Sequence, residues 1–176
     1  VATPLMVKLS SRLSRTDSAT LTPTVNPPGK PIPTSRNHVI VAGFGRFGNY
    51  LARVLAKAGI SYLALEVNPV RVARAQALGY PVFYGDASRV EVLRSAGADD
   101  ASILVFTLDH METIGQTVTA AREAFPELPI YTRAWDIGVA QRLRSMGASY
   151  AIPEAMAPSL QLAGDLLSAR GVAPEL

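Results

Sequence analysis

Cysteine is absent from this 176-residue chain. Its absence excludes a disulfide scaffold, a thiolate nucleophile, an iron–sulfur cluster and the usual zinc clusters. Histidine occurs twice, at His38 and His110, and neither is spaced from a carboxylate as metal ligands are. Aromatic residues make up 7% of the chain and charged residues 18%, against 48% hydrophobic. That is a globular composition, and the length fits one domain plus a tail. A dehydrogenase with separate nucleotide and catalytic domains normally needs about twice this length. Long apolar runs are also lacking. Val1 to Val7 is mostly apolar, but a membrane span needs roughly 20 residues.

A positive footprint on the folded part is missing as well. The net charge is +3, yet residues 1–36 carry Lys8, Arg12, Arg15, Lys30 and Arg36 against Asp17 alone. The remaining 140 residues hold 12 basic and 13 acidic groups. The excess charge therefore belongs to the tail, and a nucleic-acid-binding fold is not expected.

Six of the 13 prolines fall in the first 36 residues, among many Ser and Thr and with no apolar periodicity. Residues 11–36 read as a linker. The order at the start, apolar and then basic, is the reverse of a signal peptide. It matches the cytoplasmic exit of a transmembrane helix, and residues 1–10 are read either as such an end or as a frayed terminus. The chain begins at Val1 rather than Met, which leaves open that it is a fragment.

From residue 37 short apolar runs alternate with amphipathic segments. Strands are expected at His38–Ala42, Ser61–Glu66, Val82–Tyr84, Ser102–Thr107, Ile130–Arg133 and Tyr150–Ile152. Helices fit between and after them, at Arg46–Ala58, Pro69–Leu78, Arg89–Ala96, Met111–Phe125, Ile137–Met146 and about Ala157–Ala169. Gly59, Gly79, Gly97 and Gly147 stand where helices end. Asn68 followed by Pro69 reads as an N-cap with Pro at the first helical position. Ser88…Glu91 and Asp109…Glu112 have capping-box spacing or its Asp variant. Such alternation predicts a Rossmann-like, doubly wound α/β fold over residues 37–176, with six parallel strands and helices on both faces.

The chemistry concentrates in Gly43-Phe44-Gly45-Arg46-Phe47-Gly48, which follows the first strand and opens a helix. There Gly43 makes the tight turn, Gly45 admits a pyrophosphate to the backbone, and Gly48 lets helix and strand pack closely. The helix N-terminus adds N–H groups and a positive dipole end. Glu66 ends the second strand, where a carboxylate accepts hydrogen bonds from the ribose hydroxyls of adenosine. It also repels a 2′-phosphate, so NAD(H) or AMP is expected in preference to NADP(H). Arg71, a turn into the next helix, is the one residue able to relieve that repulsion.

Asp86 and Ala87 follow the third strand on the same edge. With Ser88 capping the next helix, Asp86 is free to meet an adenine ring; a plain turn is the alternative. Thr107 ends the fourth strand at the expected switch point, as a phosphate or ribose contact. Asp109 reads as an N-cap. Arg46 faces the pyrophosphate or a partner surface, or is simply exposed. The last helix carries Met156, Leu160, Leu162, Leu166 and Leu167 on more than one face, a pattern of core or of a subunit contact. Nothing supplies a general acid or base: His38 is at the wrong strand end, Lys57 ends a helix, and His110 has no orienting partner. The residues describe a domain that binds a nucleotide without catalysis.

The run His38-Val-Ile-Val-Ala-Gly-Phe-Gly-Arg-Phe-Gly48, with Glu66, Val82-Phe-Tyr-Gly-Asp-Ala87, Leu93-Arg-Ser-Ala-Gly-Ala98 and Tyr131-Thr-Arg-Ala-Trp-Asp136, resembles one known family. It is the TrkA-N (RCK-N) regulatory domain of Kef-type potassium:proton antiporters, matched from residue 38 to about 170. The opening Ala2-Thr-Pro-Leu-Met6 is similar to the end of that family's last transmembrane helix. The resemblance implies a homodimeric domain at the cytoplasmic face of the bacterial inner membrane. It would bind NAD(H) or AMP and gate potassium efflux by a transmembrane antiporter domain upstream in the same chain. Glutathione-gated members carry Arg-Ala-Arg-Asp where this chain has Arg133-Ala-Trp135-Asp136, a departure that puts glutathione control in doubt. The alternatives are an NAD-dependent oxidoreductase and the regulatory domain of a potassium channel or Trk-type uptake system.

Overall fold

The computed structural model describes residues 32, 36–108 and 111–172, with the side chains of residues 111–113 left aside. The expected segment 1–10, most of the linker, and Asp109 and His110 lie outside the described residues.

Strands and helices alternate throughout. They are β1 (Val39–Ala42), α1 (Arg46–Lys57), β2 (Tyr62–Glu66), α2 (Pro69–Ala77), β3 (Val82–Tyr84), α3 (Val90–Ser95), β4 (Ile103–Phe106), α4 (Met111–Ala124), β5 (Ile130–Ala134), α5 (Ile137–Ser145), β6 (Tyr150–Pro153) and α6 (Met156–Ala169). The six strands form one sheet in the order β3-β2-β1-β4-β5-β6, and all five pairings are parallel. This is the doubly wound α/β fold. Each expected strand and helix is present, with ends shifted by a residue or so.

The period of two along β1 splits the core. Val39 and Val41 pack with Ala52 and Leu55 of α1 and Val72 and Ala75 of α2. Ile40 and Ala42 pack on the opposite face with Leu93, Val118, Ala121, Ala140 and Leu143 from α3, α4 and α5. Strands buried on both faces read as unbroken apolar runs for this reason.

Most of the punctuation holds. The Asn68 side chain accepts from the N–H groups of Val70 and Arg71 at 3.0 and 3.2 Å, and Pro69 opens α2. Gly59, Gly79, Gly97 and Gly147 all have positive φ. The capping box at Ser88 does not form. Residue Arg89 precedes α3 without a side-chain cap, and the Ser88 hydroxyl donates instead to Asp86 Oδ1 at 2.7 Å. Of the two readings of the α6 stripe, core of this chain does not hold, because α6 buries none of its residues. Among the described residues, no helix is long and apolar enough to cross a membrane.

Candidate functional site

The chain leaves β1 through Gly43, whose φ of +105° is a conformation that side-chain-bearing residues rarely adopt. Its N–H donates to the Leu65 carbonyl at 2.8 Å, tying the turn to β2. Gly48 then brings α1 against the turn. A Cβ there would overlap the Gly43 carbonyl oxygen and come within 2.9 Å of Thr107 Oγ1. Gly45 precedes α1 with extended backbone; no side chain caps the helix and its first turn holds no acidic residue. The first-turn N–H groups therefore lack a side-chain acceptor, which is the condition for an anion site.

Glu66 is buried, 4% exposed. Its Oε2 accepts from the Phe44 N–H at 3.0 Å and its Oε1 from the Asn68 N–H at 2.8 Å. The Arg71 guanidinium lies 3.5 Å from Oε2. One carboxylate thus joins the glycine turn, the end of β2 and the start of α2. Oε1 keeps a further lone pair, the capacity needed for one ribose hydroxyl, while Oε2 is taken by the Phe44 N–H and the long Arg71 contact.

Thr107 is equally buried, and its hydroxyl reaches the carbonyls of Gly43 at 2.8 Å and Ala42 at 3.1 Å. Its side chain braces the glycine turn from β4, across the junction where helix crossovers switch faces. Among the turn residues, Phe44 is buried and stacks obliquely on Tyr80, ring centres 5.7 Å apart, so only its backbone faces the open edge. Phe47 is half-buried, with the Arg133 guanidinium 5.8 Å from its ring centre; Arg133 also pairs with Glu154 at 3.4 Å.

Asp86 is exposed but not free. Its Oδ1 accepts from both the N–H and the hydroxyl of Ser88, a local Asx turn that reverses the expected division of labour between the two. Ala87 is buried in the core, which leaves its backbone rather than its side chain for any ring nearby. Gly43–Gly48, Glu66, Asp86, Ala87 and Thr107 all lie at or just beyond the C-terminal ends of β1 to β4, one edge of the sheet. His38 sits at the other edge, with Nε2 2.9 Å from the Ala96 carbonyl oxygen. Among the described residues no group of His, Asp and Glu could hold a metal ion.

Arg46, read as facing the pyrophosphate or a partner surface or as simply exposed, lines a cleft of about 400 Å³ between α1 and α2. Asn49, Tyr50, Arg71 and Arg74 share the lining with Phe44. Sequence reasoning did not assemble this cleft. The available signal was Arg71 and Arg74 at i, i+3, one face of the helix that opens just after Glu66.

The TrkA-N domain family matches residues 39–154. The chain belongs to that family. Its relatives include K(+) efflux antiporter 2, chloroplastic, of Arabidopsis thaliana, 38% identical over 133 residues, 76% of this chain and 11% of that protein. The glutathione-regulated potassium-efflux system protein KefC of Escherichia coli is 32% identical over 173 residues, 98% of this chain. This TrkA-N chain spans only 27% of KefC's length. Among solved structures, the Kef CTD of Shewanella denitrificans in its AMP-bound form superposes with a TM-score of 0.68 at 32% identity, over 77% of this chain and 82% of that one. The curated relatives are thus potassium-efflux proteins of which a TrkA-N domain is a minor part.

Proposed function

We propose that this TrkA-N domain senses an adenine nucleotide, AMP or NAD(H), and through it gates a potassium:proton antiporter. The observation that carries the reading is the Glu66 carboxylate held by the Phe44 N–H at 3.0 Å. It sets a ribose acceptor beside an α1 N-terminus that no side chain caps. The AMP-bound state of the Shewanella relative supports the mononucleotide, and the glycine spacing and Glu66 suit the dinucleotide equally.

The nucleotide acts as a ligand and not as a substrate. Proton transfer to or from a reacting group needs a positioned acid or base, and the residues around the glycine turn offer backbone N–H groups, arginines and one buried carboxylate. On this reading residues 1–10 end a transmembrane helix and residues 11–36 tether the domain. That tether holds the domain at the cytoplasmic face of the bacterial inner membrane. The antiporter's membrane part would precede residue 1.

The domain works as a homodimer. Met156, Leu160, Leu162 and Leu166 of α6 are 47–60% exposed, next to the edge strand β6, where Tyr150 and Ile152 are also exposed. An apolar surface of this extent at a free sheet edge favours a second copy. Trp135 replaces the arginine of the glutathione-gated pattern, so the reading leaves glutathione out.

Calorimetry with AMP, NADH and NAD⁺ tests the ligand, and NAD⁺ with a panel of alcohols and hydroxy acids tests for turnover. Binding without NADH production is expected. Steady turnover at ordinary enzyme rates, around 1–10³ per second, would instead make the domain an oxidoreductase. Potassium efflux from vesicles holding the full-length antiporter, with and without AMP, tests the gating.

A further inference from the structure

The cleft between α1 and α2 holds three arginines and, among its lining residues, no carboxylate. Arg46 comes from the first position of α1, Arg71 and Arg74 from one face of α2. Among the described residues, the Arg46 and Arg74 side chains form no ion pair or hydrogen bond. Of these three cations only Arg71 has a carboxylate partner, Glu66, and a cleft that gathers two further arginines without a counter-charge favours an anion.

The position of the cleft identifies the anion. Arg71 both lines it and stands 3.5 Å from the carboxylate at the ribose position. That carboxylate already receives two backbone N–H bonds and a cation, so the repulsion it would exert on a neighbouring phosphate is partly offset. The Arg71 side chain is 50% exposed and its contact with Glu66 is long, leaving it able to turn its remaining N–H groups outward. A guanidinium fork grips a phosphate with two parallel bonds, and an arginine beside the ribose is how such sheets accept a 2′-phosphate.

We infer that the Arg46–Arg71–Arg74 cleft is a recognition site for a phosphate on the ribose 2′-hydroxyl. The ligands of the site would then include adenosine nucleotides phosphorylated there, free or as NADP(H). This rests on the nucleotide-sensing reading and extends it: Glu66 holds the ribose through its 3′-hydroxyl, and the arginine cleft reads a phosphate at the 2′ position, reversing the preference for NAD(H) that Glu66 alone implies.

The test is calorimetry at fixed ionic strength on the 176-residue chain with AMP, adenosine 2′,5′-bisphosphate and adenosine 3′,5′-bisphosphate, and with the NADPH and NADH pair. In wild type the 2′,5′-bisphosphate should bind about 10- to 100-fold tighter than AMP, the effect of one or two charge-assisted bonds. NADPH should exceed NADH in the same direction, and the 3′,5′ isomer should show no comparable gain. In Arg71→Ala/Arg74→Ala the ratio of the AMP to the 2′,5′-bisphosphate dissociation constant should fall below about threefold, under half a decade. Arg74→Ala alone, which leaves the Glu66 contact in place, should reduce the ratio part of the way. AMP binding with no 2′-phosphate gain, an equal gain from the 3′,5′ isomer, or a gain that survives the double substitution would each overturn this inference while leaving the nucleotide reading intact. No binding by any of the five ligands would overturn both.

Discussion

Replacing Glu66 by alanine should destabilise the domain before any nucleotide is added. The carboxylate is 4% exposed and accepts from Phe44 N at 3.0 Å and Asn68 N at 2.8 Å. Hydrogen bonds to a charged group contribute about 1.5–3 kcal/mol each, and a buried donor left without a partner loses its hydration as well. The Phe44 bond is buried and belongs at the upper end of that range. Asn68 is exposed, so water can replace the carboxylate there and the second bond counts for less. The Arg71 contact, at 3.5 Å with the arginine half exposed, contributes little in water. The expected loss is about 2–4 kcal/mol, a large share of the 5–15 kcal/mol typical of a domain. Urea unfolding followed by circular dichroism, without nucleotide, measures it as a lower midpoint at unchanged slope. Glu66→Gln keeps one acceptor oxygen but turns an amide toward the other N–H, so it should fall between wild type and Glu66→Ala. Below the melting transition, AMP should bind Glu66→Ala about 10- to 100-fold more weakly, because the ribose acceptor has gone. A midpoint in Glu66→Ala equal to wild type would refute the reasoning: the carboxylate would not be holding the turn.

Three further outcomes test neighbouring parts of the argument. Gly48→Ala should lower stability by at least about 3 kcal/mol or prevent folding, since its Cβ overlaps the Gly43 carbonyl oxygen, a backbone atom that cannot swing aside; urea unfolding or soluble yield reads this. Thr107→Val, nearly the same shape, should lose about 1–2 kcal/mol by removing the hydroxyl that bonds the Gly43 carbonyl, and AMP affinity should fall with the slackened turn in the same calorimetry. Leu160→Asp with Leu166→Asp should convert a dimer to monomer in light scattering at tens of micromolar, with the unfolding midpoint of the protomer moving by no more than about 1 kcal/mol, because both side chains are exposed in the single chain.

What the sequence determined by itself is local. The apolar runs and the period of 3.6 located the six strands and six α-helices of the described residues, though not the short 3-10 turn Ala98–Asp100, since apolar runs and amphipathicity are properties of neighbouring residues. Asn68-Pro69 and the glycines after the helices set boundaries for the same reason: a cap or a left-handed turn needs only a few adjacent residues. The glycine hexad after a strand, with Glu66 ending the next one, was legible as a candidate nucleotide turn because its spacing in the chain mirrors its spacing at the sheet edge.

Contacts between distant segments were decided only by tertiary structure. The strand order β3-β2-β1-β4-β5-β6 is a matter of which edges pair across many residues, and no single strand encodes its neighbour. The bond from Phe44 N to Glu66 spans 22 positions; it makes the proposed ribose carboxylate a structural anchor of the turn. Ser88 matched a capping box in sequence, yet the turn after β3 carried its hydroxyl to Asp86 instead. Helix α6 reads as apolar on several faces in sequence, but whether those faces meet this chain's core or remain open depends on where the edge strand β6 delivers the helix. The cleft that gathers Arg46, Arg71 and Arg74 exists because two right-handed crossovers place α1 and α2 side by side on one face of the sheet, bringing together charges that lie 25 and 28 positions apart in the chain.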